Sequence, residues 1–167
     1  MVMMKRILVG LAGTTYTPVA IERAVTLAQT HDAEVTGVTV LDARRVRSLG
    51  GAVPPAWEDA VAIRDRRMAI TEARIAQSIR DFEAACQTAN VKHRVVEESG
   101  DPFTRLVDLA RYHDLMVFGL RSVFEYDFLA GDPESLLIRL VRAGVRPLIA
   151  VSENFRGISR VLIAYNG

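Results

Sequence analysis

Two short stretches of this chain, residues 7–11 and 115–118, contain no polar side chain at any position. A strand with one solvated face alternates apolar and polar residues. A strand that is apolar throughout needs cover on both faces. The arrangement that provides it is a parallel sheet between two layers of helices.

The rest of the chain supplies the layers. After the first run, Thr14-Thr15-Tyr16-Thr17-Pro18 offers hydroxyl caps and an early proline, and Ile21, Ala24, Val25 and Ala28 follow at helical spacing. Glu34–Leu41 is rich in β-branched residues and reads as a second strand, ending at Asp42. Residues 44–55 are a loop by composition, with Gly50-Gly51, Pro54-Pro55 and a basic cluster of Arg44, Arg45 and Arg47. A long helix is expected over 57–89, with Ile63, Ile70, Ala73, Ala76, Ile79 and Phe82 as its apolar stripe. Residues 92–98 form a third strand, polar enough to be an edge.

Gly100-Asp101-Pro102 opens a third helix, with Asp as cap and Pro in the first turn. The run at 114–118 is strand four and ends on Gly119. Gly131-Asp132-Pro133 repeats the helix-opening device, and that fourth helix stops at Gly144. Residues 147–151 are strand five. The fold class is therefore α/β, an open doubly wound parallel sheet with helices on both faces.

The chain of 167 residues holds one full domain, here 1–152, with little left over. A linker at 153–158 leads to a terminal segment, 159–167, that resembles the first strand. Ser159-Arg160-Val161-Leu162-Ile163-Ala164-Tyr165-Asn166-Gly167 aligns with Lys5-Arg6-Ile7-Leu8-Val9-Gly10-Leu11-Ala12-Gly13. The expectation is an extra C-terminal strand that begins a second, truncated repeat. Coincidence between two aliphatic strands is the other account.

A net charge of +1 provides no global field for nucleic acid or a membrane surface. No run approaches the ~20 apolar residues of a membrane span, and the start of the chain lacks the pattern of a secretory signal. The single cysteine, Cys86, excludes an intrachain disulfide and suits a reducing cytoplasm. It lies among alanines in a helical pattern and reads as a small core residue.

In parallel sheets ligands bind beyond the carboxyl ends of the strands, where strand order reverses. The turns after strands one and four are the candidate site. Gly10, Gly13, Gly119 and Gly131 stand at strand ends or loop tips, and Ser122 and Ser135 supply hydroxyls. Asp132, Glu134, Glu125 and Asp127 make the same region acidic, so a bound triphosphate there calls for a divalent metal. Simple turns and caps would use the same glycines. His31 and His113 are placed in the last turns of helices, where a cation complements the dipole, and His93 on the edge strand. No metal-ligand spacing, nucleophile elbow or phosphate-loop Gly-Lys-Ser/Thr occurs.

Taken together, these segments resemble the universal stress protein family. The resemblance rests on Ile7-Leu8-Val9-Gly10-Leu11-Ala12-Gly13-Thr14, on Val38-Thr39-Val40-Leu41-Asp42, on Gly100-Asp101-Pro102 with Asp114-Leu115-Met116-Val117-Phe118-Gly119, and on Arg146-Pro147-Leu148-Ile149-Ala150-Val151. It implies a five-stranded sheet in order 3-2-1-4-5, with the reversal between strands one and four. It also implies pairing through the last strand, as a homodimer or with a partner domain in the same chain. Some members bind ATP with Mg through a motif of Gly, two residues, Gly, nine residues, Gly and then Ser or Thr. Gly119 matches its first glycine and Ser122 replaces the second. The closing pair falls on Glu134-Ser135 or Gly131-Asp132. Ala12 stands where the family's acidic, adenine-reading residue is expected.

The implied function is a regulatory or binding module of the stress response with a degraded nucleotide site. On that reading Gly10, Leu11, Ala12 and Val40 border the base, Gly119, Ser122 and Ser135 face ribose and phosphates, and Phe118 and Gly131 are further nucleotide-binding candidates. One alternative is slow ATP hydrolysis with a metal held by Asp127 or Asp132, although no base is evident. Another is a dimerising scaffold whose pocket is closed by Phe124, Tyr126 and Phe128, which alternate with Glu125 and Asp127 and so share one side of an extended segment.

Overall fold

Ile7, Leu8, Val9, Met116, Val117 and Phe118 are all buried, so both apolar runs are covered on both faces. The architecture is that of a computed structural model describing residues 3–42, 57–120 and 136–154. Its elements are β1 (Arg6–Gly10), α1 (Thr17–His31), β2 (Glu34–Leu41), α2 (Trp57–Thr88), β3 (His93–Ser99), α3 (Pro102–Ala110), β4 (Leu115–Gly119), α4 (Leu136–Ala143) and β5 (Leu148–Val151). All four strand pairings are parallel, and the order is β3-β2-β1-β4-β5. β3 is an edge strand, as its polarity requires. The chain runs outward from β1 to β3, then returns to place β4 on the other side of β1.

The reversal sorts the helices. α1 and α2 pack on the face carrying Ile7, Val9, Leu11 and Val35, where Phe82 and Cys86 of α2 are fully buried. α3 and α4 cover Leu8, Val38, Val40, Met116 and Phe118 through Leu106, Ala110, Leu137 and Leu140. Burying groups such as Phe82 or Leu106 stabilises by about 1.5–3 kcal/mol each. The Cys86 thiol is held in this core, and burial pushes its pKa up to about 11. It is a packing residue.

Helix boundaries follow local chemistry. Asp101 Oδ2 accepts from the Thr104 amide at 2.9 Å and caps α3. Gly144 takes φ +60° just after α4. α1 departs from expectation. Its N-cap is Tyr16, which gives no side-chain cap. The Thr17 hydroxyl turns back and accepts from the Thr14 amide at 3.1 Å, bracing the preceding turn.

The stripe of α2 also needs correction. Ile70 and Ala73 are exposed, and the buried line is Ile75, Ser78, Phe82 and Cys86. The opening of the fourth helix, the 124–128 aromatics and the 159–167 segment lie outside the described residues. Among the described residues no helix is long and apolar enough to cross a membrane.

Candidate functional site

The carboxyl ends of β1, β2 and β4 converge where the strand order reverses. Regular pairing of β1 stops at Gly10, one residue earlier than expected, yet the Leu11 amide still donates to the Val38 carbonyl at 2.8 Å. Gly13 follows with φ +67°, which favours glycine, and a Cβ there would lie 2.9 Å from Arg74 Cβ on α2. Beyond Gly119, the Leu120 amide donates to the Val151 carbonyl at 2.8 Å. The Thr15 hydroxyl donates to Glu153 Oε1 at 2.7 Å, joining the turn after β1 to the segment after β5.

Six of the nine sequence-predicted site residues are described, and they divide between the two faces. Ala12, Val40 and Phe118 belong to one cluster on the α3/α4 face. Leu11 points the other way, into the α1/α2 core. Only its backbone remains for a ligand at the reversal point. Gly10 does more than clear space for a ligand. A Cβ there would sit 2.4 Å from the Phe118 ring, so the glycine makes room for that ring. Gly119 is buried at the end of β4. Ser122, Gly131 and Ser135 lie outside the described residues, as do Asp127 and Asp132.

For the base of a nucleotide these groups fit in part. Ala12 and Val40 offer apolar surface, but Ala12 has no acceptor to read an exocyclic amine. Among the described residues no group of three acidic, histidine or cysteine side chains is set to hold a metal. A separate cleft of about 170 Å³ opens beside Gly13, between the start of α1 and the middle of α2, with Thr14, Thr17 and Arg74 on its wall.

The opposite end of the sheet is locked by polar contacts that the sequence did not reveal. Asp114 Oδ2 accepts from the amides of Lys5 at 2.7 Å and Arg6 at 3.0 Å, and these two bonds hold the carboxyl below its ordinary pKa. His113 is not the last-turn cation expected. α3 ends at Ala110, and His113 is turned inward and buried. Its Nδ1 lies 2.7 Å from the Leu109 carbonyl, so Nδ1 carries the proton. Thr36 then donates to Nε2 at 2.9 Å and accepts from Arg94 Nε at 3.1 Å. Desolvation lowers the His113 pKa, with nearby Arg94 and Arg6 adding to it. The ring is neutral and structural. A clue was present in Thr36, a hydroxyl within a buried strand that needs a partner. His31 does lie in the last turn of α1, and His93 opens β3 with its ring edge-on to Phe82.

Comparison with known proteins adds to this geometry. A family model described as the Universal stress protein family matches residues 3–139. Curated proteins provide no match. Among solved structures, a universal stress protein in complex with cAMP is similar over 92% of this chain and 100% of its own, at 18% identity and TM-score 0.61. Universal stress protein UspA from Lactobacillus plantarum covers 90% and 99%, at 19% identity and TM-score 0.60. An Arabidopsis thaliana member of the family with AMP bound covers 90% and 92%, at 15% identity and TM-score 0.56. At such identities the likeness to these structures is one of fold.

Proposed function

The chain belongs to the universal stress protein family, and from that premise we propose that it is a nucleotide-binding regulatory module of the stress response with a weakened site. The ligand is an adenine nucleotide, bound at the carboxyl ends of β1, β2 and β4. The observation that carries this reading is the meeting of Ala12, Val40 and Phe118 in one cluster at the reversal point. That the similar structures hold cAMP and AMP supports the choice of ligand. Gly10, Leu11, Ala12 and Val40 border the base, those buried deepest through backbone atoms. Gly119 leads toward ribose and phosphates, where Ser122, Gly131 and Ser135 complete the site. Mg-ATP is held poorly because Ala12 supplies no charged acceptor and the glycine motif is broken at Ser122.

Calorimetric titration with AMP, cAMP and Mg-ATP tests this. AMP and cAMP should bind, and Mg-ATP should bind more weakly than micromolar. Ala12→Asp should tighten AMP about ten- to a hundredfold, the worth of a charged hydrogen bond of about 1.5–3 kcal/mol. No heat from any of the three nucleotides would remove the nucleotide reading. Micromolar Mg-ATP binding to the unmodified chain would remove the weakening.

A second element of the proposal is association through β5, with another copy or with a partner domain in a longer chain. Among the described residues β5 is an edge strand, and Leu148, Ile149 and Ala150 are only half-buried. Light scattering on the chain and on Ile149→Lys checks it: a dimer that falls to monomer is expected. The cytoplasm, where the Cys86 thiol stays reduced, is the proposed compartment.

A further inference from the structure

A second cavity, of about 310 Å³, lies away from the reversal point, between α2 and the carboxyl ends of β2 and β3. Leu41, Ile75, Ala76 and Ile79 give it apolar walls, and Glu72 and Glu97 add carboxylates. Thr39 also lines it. That residue is only 3% exposed, and its Oγ1 has no hydrogen-bond partner among the described residues.

A buried hydroxyl without a partner is costly and calls for an explanation. Thr39 pairs in register with Glu97 on the adjacent strand, so the two side chains share the α2 face of the sheet. Glu98, one position along, also borders the cavity, but its carboxylate is paired with Arg105 at 3.8 Å. Glu72 and Glu97 make no ion pair among the described residues. The cavity therefore offers negative charge, a hydrocarbon wall and a buried hydroxyl in need of a polar atom.

We propose that this cavity binds a small organic cation of the amino-alcohol class. Its ammonium group sits against the Glu72 and Glu97 carboxylates. Its alkyl body lies on Leu41, Ile75 and Ile79. Its polar end meets the Thr39 hydroxyl. A bare metal ion would leave the apolar wall unused.

Amide NMR titration of the full chain with aminopentanol tests the assignment, with pentanol, pentylamine and magnesium chloride as comparisons. Aminopentanol should shift Thr39, Leu41, Ile75 and Ile79, and added salt should weaken it. Pentanol should bind about fivefold more weakly, as the loss of an exposed charge pair implies. The double variant Glu72→Gln/Glu97→Gln should weaken aminopentanol by a similar factor. Thr39→Val should remove its advantage over pentylamine. The proposal is overturned if aminopentanol shifts none of these amides, if the double variant binds it unchanged, or if magnesium chloride produces the same shifts. Should Thr39→Val fail to fold, the two carboxylate substitutions, on exposed side chains, still decide.

Discussion

The two ends of the sheet are built from different materials. At the amino end, the Asp114 carboxylate, the neutral His113 ring, the Thr36 hydroxyl and the Arg94 guanidinium meet in defined hydrogen bonds. At the carboxyl end, Gly10 and Gly13 create space, and an aromatic ring fills part of it. Both ends face the same difficulty, since parallel strands leave backbone groups unpaired where they stop. One end satisfies them with side chains, and this fixes it. The other is held by backbone pairs, from the Leu11 amide to the Val38 carbonyl and from the Leu120 amide to the Val151 carbonyl.

Four changes probe this contrast, from the largest expected effect to the smallest. Phe118→Ala empties the centre of the carboxyl end and should cost about 3–5 kcal/mol in denaturant unfolding. A loss under 1 kcal/mol would mean that the ring is not part of the core. Gly10→Ala drives a methyl group into that ring and should cost about 1–3 kcal/mol. Combined with Phe118→Leu, its penalty should shrink, and strict additivity would disprove the steric link.

Acidification tests the amino end. The folded pKa of His113 lies below its ordinary value of 6.5, so the unfolded chain binds the proton more readily. Stability from this group is complete above about pH 6.5 and declines as pH falls toward the lowered folded value. Thermal melts should follow that decline, and His113→Gln should flatten it. Asp114 acts in the same sense at lower pH, below its ordinary 3.8. Asp114→Ala should cost about 1 kcal/mol, since its two bonds are exposed. Gain of stability in urea titration would refute the clasp.

Much of this architecture was legible in the chain because burial on two faces leaves a plain mark. The runs in β1 and β4, the polar β3 and the Asp101 cap each carry their cause in the residue type. The errors arose where one pattern admits two geometries. Alanine and isoleucine are common along α2, and Ala73, about two and a half turns before Phe82, falls on the opposite side of the helix. Composition cannot choose that phase; packing against β2 does. Nothing beside His113 announces its turn inward, because its partner Thr36 lies 77 residues away along the chain. At the candidate site, Gly10 was legible as a special position. Its neighbour Phe118 lies 108 residues away in sequence, and nothing local announces the contact. The split of Leu11 from Ala12 follows from simple strand alternation and could have been read in advance.

The position of β1 also sets an order of assembly. One flank joins β2, pairing Arg6 with Glu34, while the other joins β4, pairing Ile7 with Leu115. The second closure spans a loop nearly four times longer, which costs about 1.2 kcal/mol more in chain entropy. Folding is therefore expected to begin in the half containing β1, β2 and β3 and to seat β4 later. The reversal of strand order between β1 and β4 comes into being only when that late step is complete. A chain interrupted before residue 115 would hold three paired strands and no reversal of strand order, so the site proposed above would be missing.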